Sequence, residues 1–367
     1  MLKYYLRSLV VSWKIYGFGR VFFAFLFGEA FLRIFTSATL FLDNIFFRHY
    51  RAVQVKRPVF IFGHPRSGTT FLHHLLTSTD ETAAFKMWHI LLPALSARFL
   101  MKPMIDARIR KGRSELIPAS TGHRIDLDQI EEEEMLFLQN YDTQFIAIGM
   151  LGLDNREYPE LHFQDGQPAS KRMKSMRFLN GCFQRHILFT GCEQLIAQTH
   201  FSTMRLKTML EYYPDAKFIY VVRNPHHVVP SFLSLLHKSL DFRWGLKQIP
   251  NDVLERYYRR RYQAMIDLYR YFYALQKNGE IPPDRVMIQP YNELLTDLEG
   301  AFEKISAFTK IEFSRRLRTE VIKMAARQKS FQRKHEVMEP ERFGITHEMI
   351  ARDFAFVFEE YGIDPNY

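Results

Sequence analysis

Two short stretches of this chain hold residue types that suit a phosphate-rich ligand. In "FGHPRSGTT", Gly63 and Gly68 bracket four residues, and a hydroxyl pair, Thr69-Thr70, follows. Glycine lets the backbone approach a ligand closely, and the N–H groups that open the next helix point at an anion. The helix dipole adds positive potential at the same place. The spacing is that of the ATP-binding loop G-x-x-x-x-G-K-[ST], whose lysine reaches the outer phosphates. Here Thr69 holds the lysine's position, and the cation sits three residues earlier, at Arg66. A nucleoside triphosphatase also needs an acidic residue on a neighbouring strand to hold magnesium. The second stretch, "KFIYVVR", ends instead in Arg223. A cation there suits a phosphate that no metal has neutralised. Together the two stretches point to a nucleotide with more phosphate to hold and no required metal. No Cys/His cluster has zinc spacing.

Such residues need strand ends and helix starts to position them. "RPVFIFG" (57–63) is a short, β-rich apolar run that closes on glycine, and 69–78 reads as a helix. The runs 217–223, 193–198 and 284–290 read as further buried strands, separated by helical patterns. Strands alternating with helices imply a parallel sheet covered on both faces, an α/β fold. The segment 253–275 mixes arginine with tyrosine, as a nucleic-acid surface would. Yet Leu254, Tyr258, Tyr262, Met265, Tyr269 and Phe272 step at helical spacing, so it reads as a core helix with its arginines on the wet side. No nucleic-acid partner is expected. Ile350, Phe354, Val357 and Tyr361 repeat the pattern, and Gly362 is a helix stop.

The N-terminus differs from the rest. Ten of the 34 phenylalanines fall between Phe18 and Phe47. Glu29 and Arg33, spaced to pair on one helical face, interrupt the apolar run, and Asp43 interrupts it again. One or two amphipathic helices are expected, lying in a membrane interface with Lys3, Arg7, Lys14 and Arg20 near lipid phosphates, or packed on the catalytic domain or another subunit. A formal net charge of +10 also favours an anionic partner. The expected division is 1–55, an apolar and basic helical appendage, and 56–367, a P-loop α/β domain. The two cysteines, Cys182 and Cys192, read as buried thiols.

"PRSGTT" after one strand and "VVRNPHHVVPS" after a later one resemble the sulfotransferases that use 3′-phosphoadenosine 5′-phosphosulfate (PAPS), in particular their broad, largely bacterial branch. Three further stretches extend the resemblance from Pro58 to the C-terminus: "HRIDLDQIEEEEMLF", "PYNELLTDLEGAFEKISAFTKIEF" and "KHEVMEPERFGIT". It implies that Arg66, Ser67, Gly68, Thr69 and Thr70 hold the 5′ side of PAPS and that Arg223 and Ser231 hold its 3′-phosphate. Arg327 and Lys329, in a late basic run, are further candidates for closing over that phosphate. The chain departs from the family in three places. Ile130 replaces a proline, Gln198 stands where a lysine is usual, and Trp88-His89 replaces a Trp-Glu pair.

Sulfuryl transfer needs an acceptor that loses a proton, an in-line sulfuryl group and a stabilised leaving oxygen. Arg66 is the candidate for the leaving oxygen. For the base, His89, Glu133 and Glu134 are the leading candidates, with His123 and the rest of Glu131–Glu134 competing. The expectation is a PAPS-dependent sulfotransferase acting on a hydroxyl or amine of a small-molecule or lipid-like acceptor. Its expected setting is the cytoplasm, peripheral on the inner membrane, with homo-oligomers allowed; a lumenal membrane-anchored enzyme is the alternative. Two other classes stay open: a non-catalytic nucleotide-binding scaffold, and a P-loop kinase or NTPase.

Overall fold

The structure, a computed structural model, describes residues 2–79, 81–328 and 337–365. Its strands, in chain order, are β1 (Val59–Gly63), β2 (Glu115–Ile117), β3 (Ile125–Asp126), β4 (Ile196–Gln198), β5 (Lys217–Val222) and β6 (Val286–Pro290). Four of them form one parallel sheet in the order β4-β1-β5-β6, and β2 and β3 make a separate antiparallel pair. All four strands of the main sheet lie within the runs expected from sequence.

The sheet is covered on both faces, and the strands divide their side chains accordingly. Phe60, Phe62, Phe218 and Tyr220 enter the larger apolar cluster on one face. Val59, Ile61, Ile219 and Val221 enter a smaller aliphatic cluster on the other. The period-2 alternation of a strand therefore separates an aromatic core from an aliphatic one. Leu72, Leu75 and Leu76, on the helix Thr69–Leu76 after the glycine loop, complete the aliphatic side. The helix Asn251–Lys277 lays Tyr258, Tyr262, Met265, Tyr269 and Phe272 into the aromatic side. Its arginines are not all wet: Arg261 is buried, its guanidinium 5.7 Å from the Tyr257 ring. At the end of the chain Gly362, at φ +59°, terminates the helix Ala355–Tyr361.

The N-terminal helices run from Leu2–Tyr16 and across Arg20–Phe46, the second with a widened π-type turn over Ala24–Glu29. They dock on the α/β body through apolar side chains, Val11, Val21 and Phe25 among them, and through their polar residues. Arg7 makes a bidentate pair with Asp154, and Tyr4 donates to Glu160. Glu29 and Arg33 pair with each other, while Tyr141 donates to Glu29 and Arg33 to Gln139. Asp43 is fully buried. It accepts from the backbone N–H groups of Leu95 and Ser96, capping the helix Leu95–Arg110, and from Arg185 at 2.7 Å. Both cysteines are free thiols; Cys182 is buried, but Cys192 is partly exposed.

Candidate active site

The carboxyl ends of β1 and β5 lie side by side, with Gly63 in register with Val221. That adjacency brings the glycine loop and Arg223 to one place, although they are far apart in sequence. The loop is tightly built. A Cβ on Gly63 would lie 2.4 Å from the Val221 carbonyl oxygen, and one on Gly68 2.3 Å from the Tyr291 ring. Both glycines, and Arg66 between them, have positive φ, which glycine tolerates and arginine adopts at a cost. His64 is buried against Tyr269 and Phe232, and burial pushes its pKa down to about 3, so it is neutral.

Two contacts tie the phosphate-binding candidates together. Arg66 Nε donates to Ser231 Oγ at 3.0 Å. Arg223 Nη1 donates to the Arg66 carbonyl at 2.8 Å, with its guanidinium over the Tyr291 ring at 4.3 Å. The loop is further fixed from β4: Gln198 Nε2 donates to Thr69 Oγ1 at 3.2 Å and to Thr70 Oγ1 at 3.0 Å. Gln198, in the position of the family's lysine, is therefore a tether for the two hydroxyls. Ser67 is buried, with its hydroxyl 3.5 Å from Tyr269 OH.

A cavity of about 930 Å³ opens over this floor. Arg66, Gly68, Thr69, Thr70, Arg223 and Arg327 line its polar end; Leu138, Phe145, Phe232, Leu236, Leu240 and Trp244 line its apolar end. His123, Glu132 and His200 line it as well. His123 Nε2 faces Glu131 at 3.3 Å. Burial opposes charge on this ring, but the Glu131 hydrogen bond and carboxylate outweigh it and raise the pKa above the ordinary histidine value. His200 pairs with Glu132 through Nε2, and its Nδ1 lies 3.1 Å from the Gln198 amide nitrogen.

Three of the residues expected to do chemistry do not reach this cavity. Glu133 is fully buried and accepts from the backbone N–H groups of Phe85 (3.1 Å) and Gln198 (2.7 Å). It braces β4 to the Phe85 segment, and burial pushes its pKa up to about 8 against those donors. Glu134 is equally buried, between Thr143 and Ser202. Burial raises its pKa too. His89 packs among Trp88, His186 and Phe189, and its Nδ1 accepts from the Lys86 backbone. Burial and the nearby Arg98 force its pKa far down, so it stays neutral. The four-glutamate run starts a tight 3₁₀ turn that sends Glu133 and Glu134 inward, leaving Glu131 and Glu132 on the histidines. Sequence reading also gave Tyr291 no role, though "PY" directly after a strand was a visible signal. Lys329 lies outside the described residues. Among the described residues one group has metal-like spacing, Glu339, Glu341 and His347, and none of these lines the cavity.

Comparison with known proteins supplies the context. The model of the Sulfotransferase family matches residues 58–315. Two curated relatives carry the same name, omega-hydroxy-beta-dihydromenaquinone-9 sulfotransferase Stf3, from Mycobacterium tuberculosis and Mycobacterium bovis. Each is 28% identical over 256 residues. The match covers 68% of this chain and 61% of either relative's length. Among solved structures, the sulfotransferase STF1 of Mycobacterium tuberculosis H37Rv superposes with a TM-score of 0.69 at 18% identity, covering 96% of this chain and 92% of that one. The sulfotransferase STF9 of Mycobacterium avium gives the same TM-score at 16% identity, covering 89% and 82%. At these identities the likeness concerns the fold.

Proposed function

The chain belongs to the sulfotransferase family, and on that premise we propose that it moves a sulfuryl group from PAPS to a hydroxyl of a lipophilic acceptor. The observation that carries this reading is the Ser231–Arg66–Arg223 linkage, which joins both family motifs into one cationic floor under a cavity. The donor set fits a nucleotide with separate 5′ and 3′ phosphates: a helix start with two hydroxyls on one side, arginines on the other. PAPS, when bound, supplies the activated sulfuryl group.

The chain's own residues do the rest. Ser67, Gly68, Thr69 and Thr70 hold the 5′ side, and Arg66 stabilises charge growing on the leaving oxygen. Arg223 and Ser231 hold the 3′-phosphate; Arg327, at the rim, closes over it. His123 is the general base. Glu131 takes its Nε2–H, fixing the tautomer in which Nδ1 accepts a proton, the division of labour of a carboxylate–histidine pair. Glu132 is the second candidate, because it lines the same cavity. The apolar end receives the acceptor. The name of the mycobacterial relatives gives a hydroxylated menaquinone as theirs, and the lining here suits an acceptor of that lipophilic class. The setting we propose is the cytoplasmic side of a membrane.

Calorimetric titration with 3′,5′-adenosine bisphosphate (PAP), then with ATP plus magnesium, tests the donor reading. Arg223→Ala should weaken PAP binding by about 10- to 100-fold, the effect of removing a charged hydrogen-bond partner. Magnesium-dependent ATP binding without PAP binding would revive the kinase or NTPase class. PAP binding without turnover on any acceptor would support the scaffold class.

A further inference from the structure

The helix Arg20–Phe46 is long and apolar, 27 residues, yet only 6% of its most apolar window is buried. Apart from Arg20 at its start, its charged residues are not on the open side. Glu29 and Arg33 contact Tyr141 and Gln139, and Asp43 is locked under Leu95, Ser96 and Arg185. What faces outward is a charge-free face. Phe27, Phe31, Ile34, Phe41 and Phe46 are each between 64% and 69% exposed. Phe99 stacks on Phe47 at 5.4 Å and carries the apolar surface onto the next helix. Exposed arginines bracket this face, Arg20 at one end and Arg48 and Arg51 at the other. A patch this apolar on an otherwise soluble body marks an interaction surface.

We propose that this face lies in the plane of an anionic bilayer leaflet, as a monotopic anchor rather than a span. The charge pattern selects the occupant: apolar side chains match the acyl region, and the bracketing arginines match anionic headgroups. Spanning would require tearing Asp43, Glu29 and Arg33 from their partners and placing them in hydrocarbon. Lying flat keeps every one of those contacts. At 1.5 Å per residue the helix covers about 40 Å of leaflet. The same helix touches the cavity wall, where Phe25 packs against Trp244 at 6.0 Å. This inference rests on the lipophilic-acceptor reading in one respect: it gives such an acceptor a route from the leaflet into the apolar end.

The test is flotation of the full chain with vesicles of phosphatidylglycerol and phosphatidylethanolamine, beside vesicles of phosphatidylcholine alone. Wild type should float with the anionic vesicles and less with the neutral ones. The triple variant Phe27→Asp, Phe31→Asp, Ile34→Asp should lose partition by about a hundredfold or more, while PAP titration stays at the wild-type value. In a Cys192→Ser background, Arg20→Cys and Arg51→Cys should both react with an impermeant maleimide added outside the vesicles. Wild type that stays at the bottom with anionic vesicles overturns the proposal. So does a triple variant that floats as well, or one label protected, which would mean a span. A dimer in sedimentation that the triple variant abolishes would assign the face to a second copy instead. PAP titration reads the donor site in every arm, so failure of the anchor and failure of the sulfotransferase reading are told apart.

Discussion

At the donor end, Arg66, Thr69, Thr70 and Arg223 turn polar groups toward a cavity while neighbours steady them from behind. In the N-terminal helices the arrangement is inverted: Arg7, Glu29, Arg33 and Asp43 turn inward, and phenylalanine faces out. Both regions obey one rule, that a charge removed from water needs a partner. They differ in who supplies it. The body supplies it to the appendage, so polar residues there hold the structure together. At the donor end we propose that a bound nucleotide adds to it, so that polar residues there would serve binding and chemistry.

Three substitutions break or sharpen that contrast. The largest effect should come from Asp43→Ala, which strips a buried charge from Arg185 and uncaps the helix Leu95–Arg110. It should cost about 3–5 kcal/mol in chemical denaturation, with PAP affinity of the folded fraction unchanged. A small loss of stability would show that the appendage is not anchored through its polar residues. Next, Arg66→Ala should lower kcat by about 10²- to 10³-fold and leave the denaturation curve near wild type. A collapse of stability with intact turnover of the folded fraction would make Arg66 a structural residue like Asp43.

The smallest effect is a shift in pH dependence. His123 works as a base only when neutral, so activity should rise with pH through its pKa, which Glu131 holds above the ordinary value of about 6.5. Glu131→Gln removes the charge that stabilises the protonated ring. The limb should then move toward lower pH by about one unit, read as kcat/KM across the range. An unmoved limb in Glu131→Gln, together with its loss in Glu132→Gln, would transfer the base to Glu132.

The main sheet and the phosphate loop were legible because their signals are local: an apolar run, a glycine, a helix start. The proposed base was less so, because direction decides it. Glu131 to Glu134 are chemically identical, and only a tight 3₁₀ turn makes the first two meet His123 and His200, turns Glu133 to backbone N–H groups and turns Glu134 to the Thr143 and Ser202 hydroxyls. His89 fails for the same reason: a histidine's chemistry depends on exposure, and the packing of Trp88, His186 and Phe189 around it is long-range. Gln198 looked like a lost cation and proved a tether, which only its distance to Thr69 and Thr70 could reveal. Arg261, on the arginine-rich helix, is buried because three consecutive arginines cannot share one wet face of a packed helix.

Gly68 bears on how the loop could ever change. Its φ of +99° calls for glycine, and the Tyr291 ring occupies the space a Cβ would take. Trimming Tyr291 would remove the clash but leave the backbone angle, and it would take away the ring that Arg223 stacks on. Relaxing the angle alone would leave the clash. Any path to a side chain at position 68 therefore needs coordinated changes in three places: the turn, the ring and the arginine. A library that randomises the loop by itself should return glycine there, whereas one that varies the loop, 223 and 291 jointly has room to find another solution.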